Sequence, residues 1–162
     1  MHLLVTQDKP LLVHPGDIFI TRNLLDEQNE TPGYWNHAAI YIGNGLILEA
    51  QPAPNAVIIS KVQEFYDRYP YVAILRYDHK DWQALGLKAA NKAQTSQGFV
   101  YRKLASMKRF LRRPSRGENC VSLVRRAWKD AVGFDFMWHL PDGVYKDNRF
   151  QMIHIKGVAP TI

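Results

Sequence analysis

The chain has 162 residues, 46% hydrophobic and 22% charged, a composition that predicts one folded domain over residues 1–162 and argues against disorder. No apolar run approaches the roughly 20 residues of a membrane span, and the start of the chain lacks the basic and apolar regions of a signal peptide. Cys120 is the single cysteine, which excludes an intramolecular disulfide and cysteine-based zinc clusters.

The six histidines show no ligand-like spacing, so we expect neither a metal nor another cofactor. Without a targeting segment the cytoplasm is the default location, although a cell-wall target reached by another route stays open.

The net charge of +6 comes from one basic stretch. Residues 102–116 hold seven of the 21 basic residues and no acidic one, whereas the other 14 basic residues face 15 acidic ones. The basic side chains of the stretch belong to Arg102, Lys103, Lys108, Arg109, Arg112, Arg113 and Arg116. The charge is therefore a local patch rather than a property of the whole chain.

The first elements in chain order are a loose leader before His14 and a strand over residues 17–21. A polar loop then leads to Tyr34 and Trp35. Loops that precede a reactive strand often form one wall of a site, so the two aromatic side chains are candidates for substrate contact. Core packing is the alternative interpretation of both residues.

A β-hairpin is predicted over residues 36–50, where two apolar runs are joined by Gly43-Asn44-Gly45. His37 lies near its start and Glu49 near its end. A two-residue turn puts these two side chains on opposite faces, whereas a three-residue turn puts them on one face. The difference arises because a slip of one residue moves every side chain of a strand to the other face.

The hydrophobic pattern favours the three-residue turn, which pairs Ile42 with Leu46. The two-residue turn would bury Glu49 in an apolar face, and an unpaired buried carboxylate costs on the order of several kcal/mol. With the three-residue turn, Glu49 faces Ala39 and lies diagonal to His37, about 7–8 Å away between backbones. The apolar face is then Ala38, Ile40, Ile42, Leu46, Leu48 and Ala50, and the other face is His37, Ala39, Tyr41, Ile47, Glu49 and Gln51.

The elements after the hairpin are two strands followed by helices, and this order indicates the α+β class. The strands cover residues 56–60 and 71–76. Ser60 is expected to cap a short helix over residues 61–68 that Phe65 anchors. A longer helix follows from Asp81, Gly98 ends it, part of the basic stretch forms an amphipathic helix, and residues 151–156 alternate as a last strand.

Cys120 is predicted to be the first residue of another helix, because Asn119 is a good N-cap and apolar residues recur at helical spacing after it. A single cysteine is most often a small buried hydrophobic residue. A thiol at a helix N-terminus is favoured as the thiolate, and the thiolate is the nucleophile. If this helix covers the polar face of the hairpin, the thiol, His37 and Glu49 meet. His37 then takes the thiol proton, and Glu49 orients the ring.

These residues resemble the circularly permuted papain-like hydrolases of the NlpC type, a resemblance that covers roughly residues 15–128. It rests on Asp17 in Pro-Gly-Asp-Ile-Phe, the stretch from His37 to Gly45, Leu48-Glu49-Ala50, Gly98 with Tyr101, and Asn119-Cys120 with its helix. The histidine precedes the cysteine in the chain, as in the permuted group.

The resemblance implies a permuted papain-like fold in which the cysteine helix packs on a small antiparallel sheet. It also implies a Cys120, His37, Glu49 triad that acts on amide or ester bonds, with an oxyanion held by the Cys120 backbone N–H and a donor near Tyr101. Tyr101, Tyr34, Trp35 and Gln51 are the candidates for substrate binding. The related lecithin:retinol acyltransferase-like proteins usually have a second histidine where this chain has Glu49, so the chain leans towards the carboxylate-bearing bacterial group.

The predicted function is therefore a cysteine peptidase or amidase that cleaves amide or isopeptide bonds, such as those of cell-wall-type peptides. The alternatives are a lipid acyl hydrolase or acyltransferase, and a catalytically silent module that binds a membrane or anionic polymer through the basic stretch. A solvated helix face is the plainer interpretation of that stretch. Nucleic acid ranks last among its partners because nothing in it resembles a base-reading module.

Overall fold

The computed structural model describes residues 2–6, 9–22, 33–101 and 117–157, and of Tyr101, Gly117 and Glu118 the backbone only. The strands are β1 (His2–Leu4), β2 (Leu11–Val13), β3 (Ile18–Arg22), β4 (His37–Gly43), β5 (Leu46–Gln51), β6 (Ala56–Lys61), β7 (Tyr71–Tyr77), β8 (Val100–Tyr101), β9 (Gly117–Glu118) and β10 (Phe150–Lys156). The helices are α1 (Val62–Arg68), α2 (Trp82–Gln94), α3 (Cys120–Val132) and α4 (Pro141–Tyr145).

Eight of the described strands form one sheet in the order β10-β7-β3-β4-β5-β6-β8-β9, and every pair but β8–β9 is antiparallel. The class is α+β, as the sequence predicts, with a larger sheet than expected. β1 and β2 form a separate hairpin that buries Leu4 and Val13, so the prediction of a loose leader before His14 is wrong. The alternation in β1 and β2 is only three residues long, which is too short to identify a strand by pattern.

Two apolar cores lie on the two faces of this sheet. The first core lies between one face and helices α2 and α3, and it includes Ile40, Leu48, Ala89, Val124 and Trp128. The second lies between the other face and the β1–β2 hairpin and α1, and it includes Phe19, Tyr41, Ile47, Phe65 and Tyr66. A strand alternates its side chains between faces, so the even-numbered apolar residues of β4 and β5 fill the first core and the odd-numbered ones fill the second.

The β4–β5 hairpin pairs Ile40 with Leu48 and Ala39 with Glu49, which confirms the predicted face of each side chain. The predicted turn is wrong, because Gly43 pairs with Leu46 and only Asn44 and Gly45 form the turn. The register shifts by one residue at Ile42, between Tyr41 and Gly43. Positive φ angles of 54° at Asn44 and 75° at Gly45 suit a tight two-residue turn. The bulge adds one unpaired residue to β4. Each side chain therefore stays on its predicted face, although the turn has two residues instead of three.

The short helix after β6 begins one residue later than expected, with Lys61 as the N-cap residue and no side-chain cap. The prediction that Ser60 caps this helix is therefore wrong, whereas Phe65 is buried in the second core as expected. α2 follows Asp81 and ends at Gln94, before Gly98. The predicted amphipathic helix within residues 102–116 lies outside the described residues.

Candidate active site

His37 and Glu49 meet across the β4–β5 hairpin. His37 is the first residue of β4, and Glu49 lies on β5 opposite Ala39, so the two side chains share a face and stand on a diagonal. Their atoms close the gap: His37 Nε2 lies 3.0 Å from Glu49 Oε2. This pairing follows from the hairpin register that the hydrophobic pattern predicts.

The carboxylate of Glu49 is fully buried and is surrounded by donors. Oε2 accepts a hydrogen bond from Gln51 Nε2 at 2.5 Å in addition to its contact with His37. Oε1 accepts from Ser60 Oγ at 2.6 Å and from Arg68 Nη1 at 3.3 Å. Burial raises the pKa of Glu49, but the hydrogen bonds and the charge of His37 outweigh it and hold the pKa at about 2. The carboxylate is therefore ionised at neutral pH.

Cys120 is the first residue of α3, as predicted, because Asn119 ends the preceding extended segment with a capping box. The Asn119 side chain accepts from the Ser122 backbone N–H at 2.7 Å, and Ser122 Oγ accepts from the Asn119 backbone N–H at 2.8 Å. This reciprocal pair satisfies two backbone donors at the start of the helix. The thiol consequently stands at the positive end of a 13-residue helix dipole.

The Cys120 thiol lies within hydrogen-bonding reach of the His37 ring, and this contact shifts the pKa of both groups. The Nε2 atom of the same ring contacts Glu49. The backbone N–H groups of Ala38 and Val121 also donate to the sulfur. The sequence predicts the meeting of the thiol, imidazole and carboxylate, and the structure brings all three together.

The pKa shifts of this pair act in opposite directions. Burial would raise the pKa of the Cys120 thiol, but the hydrogen bond and charge of His37, with the two backbone N–H groups, lower it below 9.0. Burial would lower the pKa of His37, but the hydrogen bonds to Cys120 and Glu49 raise it well above 6.5. A lowered thiol pKa and a raised imidazole pKa together favour a thiolate beside an imidazolium.

The route by which Cys120 reaches His37 differs from the prediction. α3 packs on the apolar face of the hairpin, with Ala38, Ile40 and Leu48, and not on the polar face. His37 nevertheless meets the thiol because it occupies the end of β4, where a side chain reaches the N-terminus of the helix on the other face. The Ala38 N–H is one of the groups that lower the pKa of the thiol, in agreement with a sulfur that lies at this end of β4.

The polar face is covered instead by α1, which no motif in the sequence assigns to the site. The rings of Phe65 and Tyr69 lie 6.0 Å and 5.9 Å from the ring of His37. Arg68, between them in sequence, reaches Glu49. Positions 65, 68 and 69 fall on one side of a helical turn, and this spacing is the signal that points to a shared target.

No family model and no curated protein matches the chain. A solved structure of another protein has a similar fold. It is the metalloprotein yiiX from Escherichia coli O157:H7 (DUF1105), with a TM-score of 0.66 and 12% sequence identity over 87% of this chain and 96% of that chain. At this identity the likeness concerns the α+β fold alone.

The described residues contain no group of three or more His, Cys, Asp or Glu side chains arranged to hold a metal ion. No helix among them has the length and apolar composition needed to cross a bilayer.

Three of the predicted substrate-binding residues have other contacts here. Trp35 is 1% exposed and lies in the first core, which agrees with the core-packing interpretation of this residue, and its role in substrate contact stays a prediction. Asp142 accepts from the Tyr34 and Trp35 backbone N–H groups at 3.1 Å and 2.7 Å, which holds this segment against α4. Tyr34 packs partly buried beside it and remains a candidate. Gln51 donates to Glu49 and thus supports the carboxylate.

The remaining predicted residues lie outside the described part of the chain. The side chain of Tyr101 is not described, although its backbone forms β8. Arg102, Lys103, Lys108, Arg109, Arg112 and Arg113 all fall in the undescribed range 102–116. Their roles therefore stay predictions from sequence.

Proposed function

We propose that this protein is a cysteine hydrolase that cleaves amide or isopeptide bonds with a Cys120, His37, Glu49 triad. The observation that carries the proposal is the double engagement of the His37 ring, which contacts the buried Glu49 carboxylate at 3.0 Å and the Cys120 thiol at the same time. A nucleophile within hydrogen-bond reach of a base, and a base oriented by a third group, is the geometry of nucleophilic catalysis.

The chemistry follows from the charges of the three groups. The Cys120 thiolate attacks the carbonyl carbon, a C–S bond forms, and the electron pair of the carbonyl moves onto its oxygen. The backbone N–H of Cys120 is one of the N-terminal donors of α3 that have no intrahelical acceptor, and we assign it to that oxyanion. Collapse of the intermediate breaks the C–N bond, and the His37 imidazolium gives its proton to the leaving amine.

The second half of the reaction returns the site to its first state. His37, now neutral, takes a proton from a water molecule, and the resulting hydroxide attacks the thioester. The C–S bond breaks, the acid product leaves, and the thiolate and imidazolium are restored. Glu49 remains ionised throughout, because its pKa of about 2 lies far below that of its partner, and it keeps the ring oriented.

The finer fold assignment is part of this proposal. A histidine on an early strand, a cysteine at the N-terminus of a later helix and a mostly antiparallel sheet support the permuted papain-like arrangement. The carboxylate at position 49 supports the bacterial NlpC-type group over the branch with a second histidine. Cell-wall-type peptides are the substrate class that this resemblance favours, and lipid acyl transfer is the alternative.

The test uses the thiol and an ester. Cys120 is the single cysteine, so iodoacetamide labelling reports on one site. We expect Cys120 to be alkylated at pH 5–6 faster than free cysteine, and His37→Ala to lose this advantage. With p-nitrophenyl acetate we expect a burst of one nitrophenolate per chain, which Cys120→Ala abolishes, because an acyl-enzyme accumulates.

A chelator provides the decisive control, because the structural neighbour is named a metalloprotein. A thiolate mechanism predicts that EDTA changes neither the alkylation rate nor the burst. A burst that is absent in the untreated protein, or that EDTA removes while Cys120→Ala retains it, would overturn the proposal.

A further inference from the structure

The Glu49 carboxylate has a charged partner that the triad does not use. Arg68 is the last residue of α1, and its Nη1 lies 3.3 Å from Glu49 Oε1. The Arg68 side chain is 45% exposed, whereas Glu49 is fully buried. The guanidinium therefore reaches from the protein surface to the far side of the carboxylate, opposite the oxygen that contacts His37.

The charges of the site balance only when Arg68 is included. A thiolate, an imidazolium and a carboxylate sum to one negative charge. Among the described residues, the cations within 4 Å of the Glu49 carboxylate are His37 and Arg68. An uncompensated charge in a buried site destabilises a protein by on the order of several kcal/mol. Arg68 brings the net charge of the four groups to zero, which favours two anions on either side of one imidazolium.

The contacts of Arg68 hold it in place. Its guanidinium carbon lies 5.8 Å from the centre of the Tyr69 ring, and that ring lies 5.9 Å from the ring of His37. Tyr69 is buried, so it fixes one wall along the arginine side chain. Ser60 Oγ donates a hydrogen bond of 2.6 Å to the same oxygen, Glu49 Oε1, and thereby restricts the rotation of the carboxylate.

We propose that Arg68 is a positioning residue that holds Glu49 in its catalytic orientation and balances the charge of the Cys120, His37, Glu49 site. This inference rests on the proposed function and adds a fourth member to the triad. Arg68 acts through Glu49 and does not contact the reacting atoms. Its contribution is electrostatic and partly exposed, so it responds to ionic strength.

The first test replaces the charge. We expect Arg68→Met to slow alkylation of Cys120 by iodoacetamide at pH 6 and low salt by about two- to fivefold, the effect of a half-exposed ion pair. Arg68→Lys should restore most of the rate. In ester hydrolysis the loss should fall on kcat, with KM unchanged. The matched control is Lys61→Met, which removes an exposed ion pair with Glu64 on the same helix.

The second test uses salt on the unaltered protein. Raising sodium chloride from 10 mM to 1 M shortens the Debye length from about 30 to about 3 Å. The alkylation rate of the wild type should fall towards that of Arg68→Met, and the rate of the variant should stay nearly constant. Iodoacetamide is neutral, so salt does not change its encounter with the thiol. If Arg68→Met fails to fold, the wild-type rate should still fall with salt, Arg68→Lys should fall in parallel, and a wild-type rate that does not change with salt would overturn the proposal.

Two results would overturn the proposal: equal alkylation rates for the wild type and Arg68→Met at low salt, or the same salt response in both. Alkylation needs no substrate, so its outcome is independent of the reaction. If the ester burst is absent and Arg68→Met still slows alkylation, the proposed function fails and the role of Arg68 in this site stands. If the burst is present and Arg68→Met is alkylated at the wild-type rate, the positioning role of Arg68 is excluded and the proposed function stands.

Discussion

At the scale of the residue, the site is built around the buried carboxylate of Glu49. The hydrogen bonds that it accepts offset the free-energy cost of burying its charge. Glu49 has no exposed surface, yet both of its oxygens accept hydrogen bonds. The sequence predicts Cys120, His37 and Glu49, because a helix cap and a hairpin register place them by local rules. It does not predict the roles of Ser60 and Arg68, because their contacts with Glu49 span two strands and a helix that no local pattern aligns.

The first prediction concerns the charge of that carboxylate. In Glu49→Gln we expect the pKa of His37 to fall, because the imidazolium then donates to a neutral amide oxygen instead of a carboxylate. Alkylation of Cys120 at pH 6 should slow by about tenfold for each unit by which the pKa of its thiol rises. Glu64→Gln, on the exposed side of α1, is the control. An unchanged rate in Glu49→Gln would contradict the assigned role of the carboxylate.

The same residue affects stability with a defined sign. The pKa of Glu49 is lowered from 4.5 to about 2, so its contribution is present above pH 4.5 and is lost as pH falls towards 2. The shift corresponds to about 3 kcal/mol. Urea unfolding of the wild type between pH 7 and pH 3 should show the greater part of this loss of free energy, and the rest should follow below pH 3. Glu49→Gln should have a flatter pH dependence over that range, and an equal slope in both would refute the prediction.

At the scale of the element, the β4–β5 hairpin shows that the face of each side chain is predictable from the sequence, whereas the geometry of the turn is not. The alternation of apolar residues over β4 and β5 decides which face each side chain occupies. The sequence Gly43-Asn44-Gly45 suits both a three-residue loop and a two-residue turn with a neighbouring bulge, so local preference cannot distinguish them. α3 packs on the apolar face rather than covering the polar one. The sequence pattern does not decide between them, since a helix N-terminus at the end of a strand reaches side chains of either face.

The second prediction concerns the contact between α2 and the turn before β3. A Cβ added at Gly86 would lie 2.4 Å from the Pro15 carbonyl oxygen, which is backbone and cannot move aside cheaply. Alanine would favour the helix by about 1 kcal/mol, but the clash should dominate and destabilise by about 1–3 kcal/mol. Gly143→Ala in α4 is the matched control, since its nearest atoms lie at 3.9 Å. Thermal unfolding of both variants measures the difference.

At the scale of the whole molecule, a second buried ion pair joins three layers. Arg76 on β7 donates to both carboxylate oxygens of Asp17, at 2.9 Å and 2.7 Å, and to the Leu12 carbonyl of the β1–β2 hairpin. Its guanidinium also lies 4.5 Å from the ring of Trp82 on α2. Asp17 precedes β3 at the end opposite to the site, because Thr21 at the other end pairs with His37.

The third prediction separates stability from reactivity. Asp17→Asn leaves Arg76 without its ionic partner in a buried position and should cost about 3 kcal/mol. The exposed Asp81→Asn should change stability by less than about 0.5 kcal/mol. Asp17→Asn should leave the alkylation rate of Cys120 unchanged under conditions where it is folded. A slower rate in the folded variant would mean that the two ends of the sheet are coupled.

The groups of the candidate site come from layers on the two faces of the sheet, and these layers lie in different parts of the chain. They are therefore synthesised at different times. His37, Glu49 and α1 are translated well before Cys120, and the thiol belongs to the helix layer on the opposite face. A nascent or partly folded chain therefore carries either no thiol or an ordinary one. The pairing of the thiol with the imidazole therefore forms only once both layers have closed on the sheet.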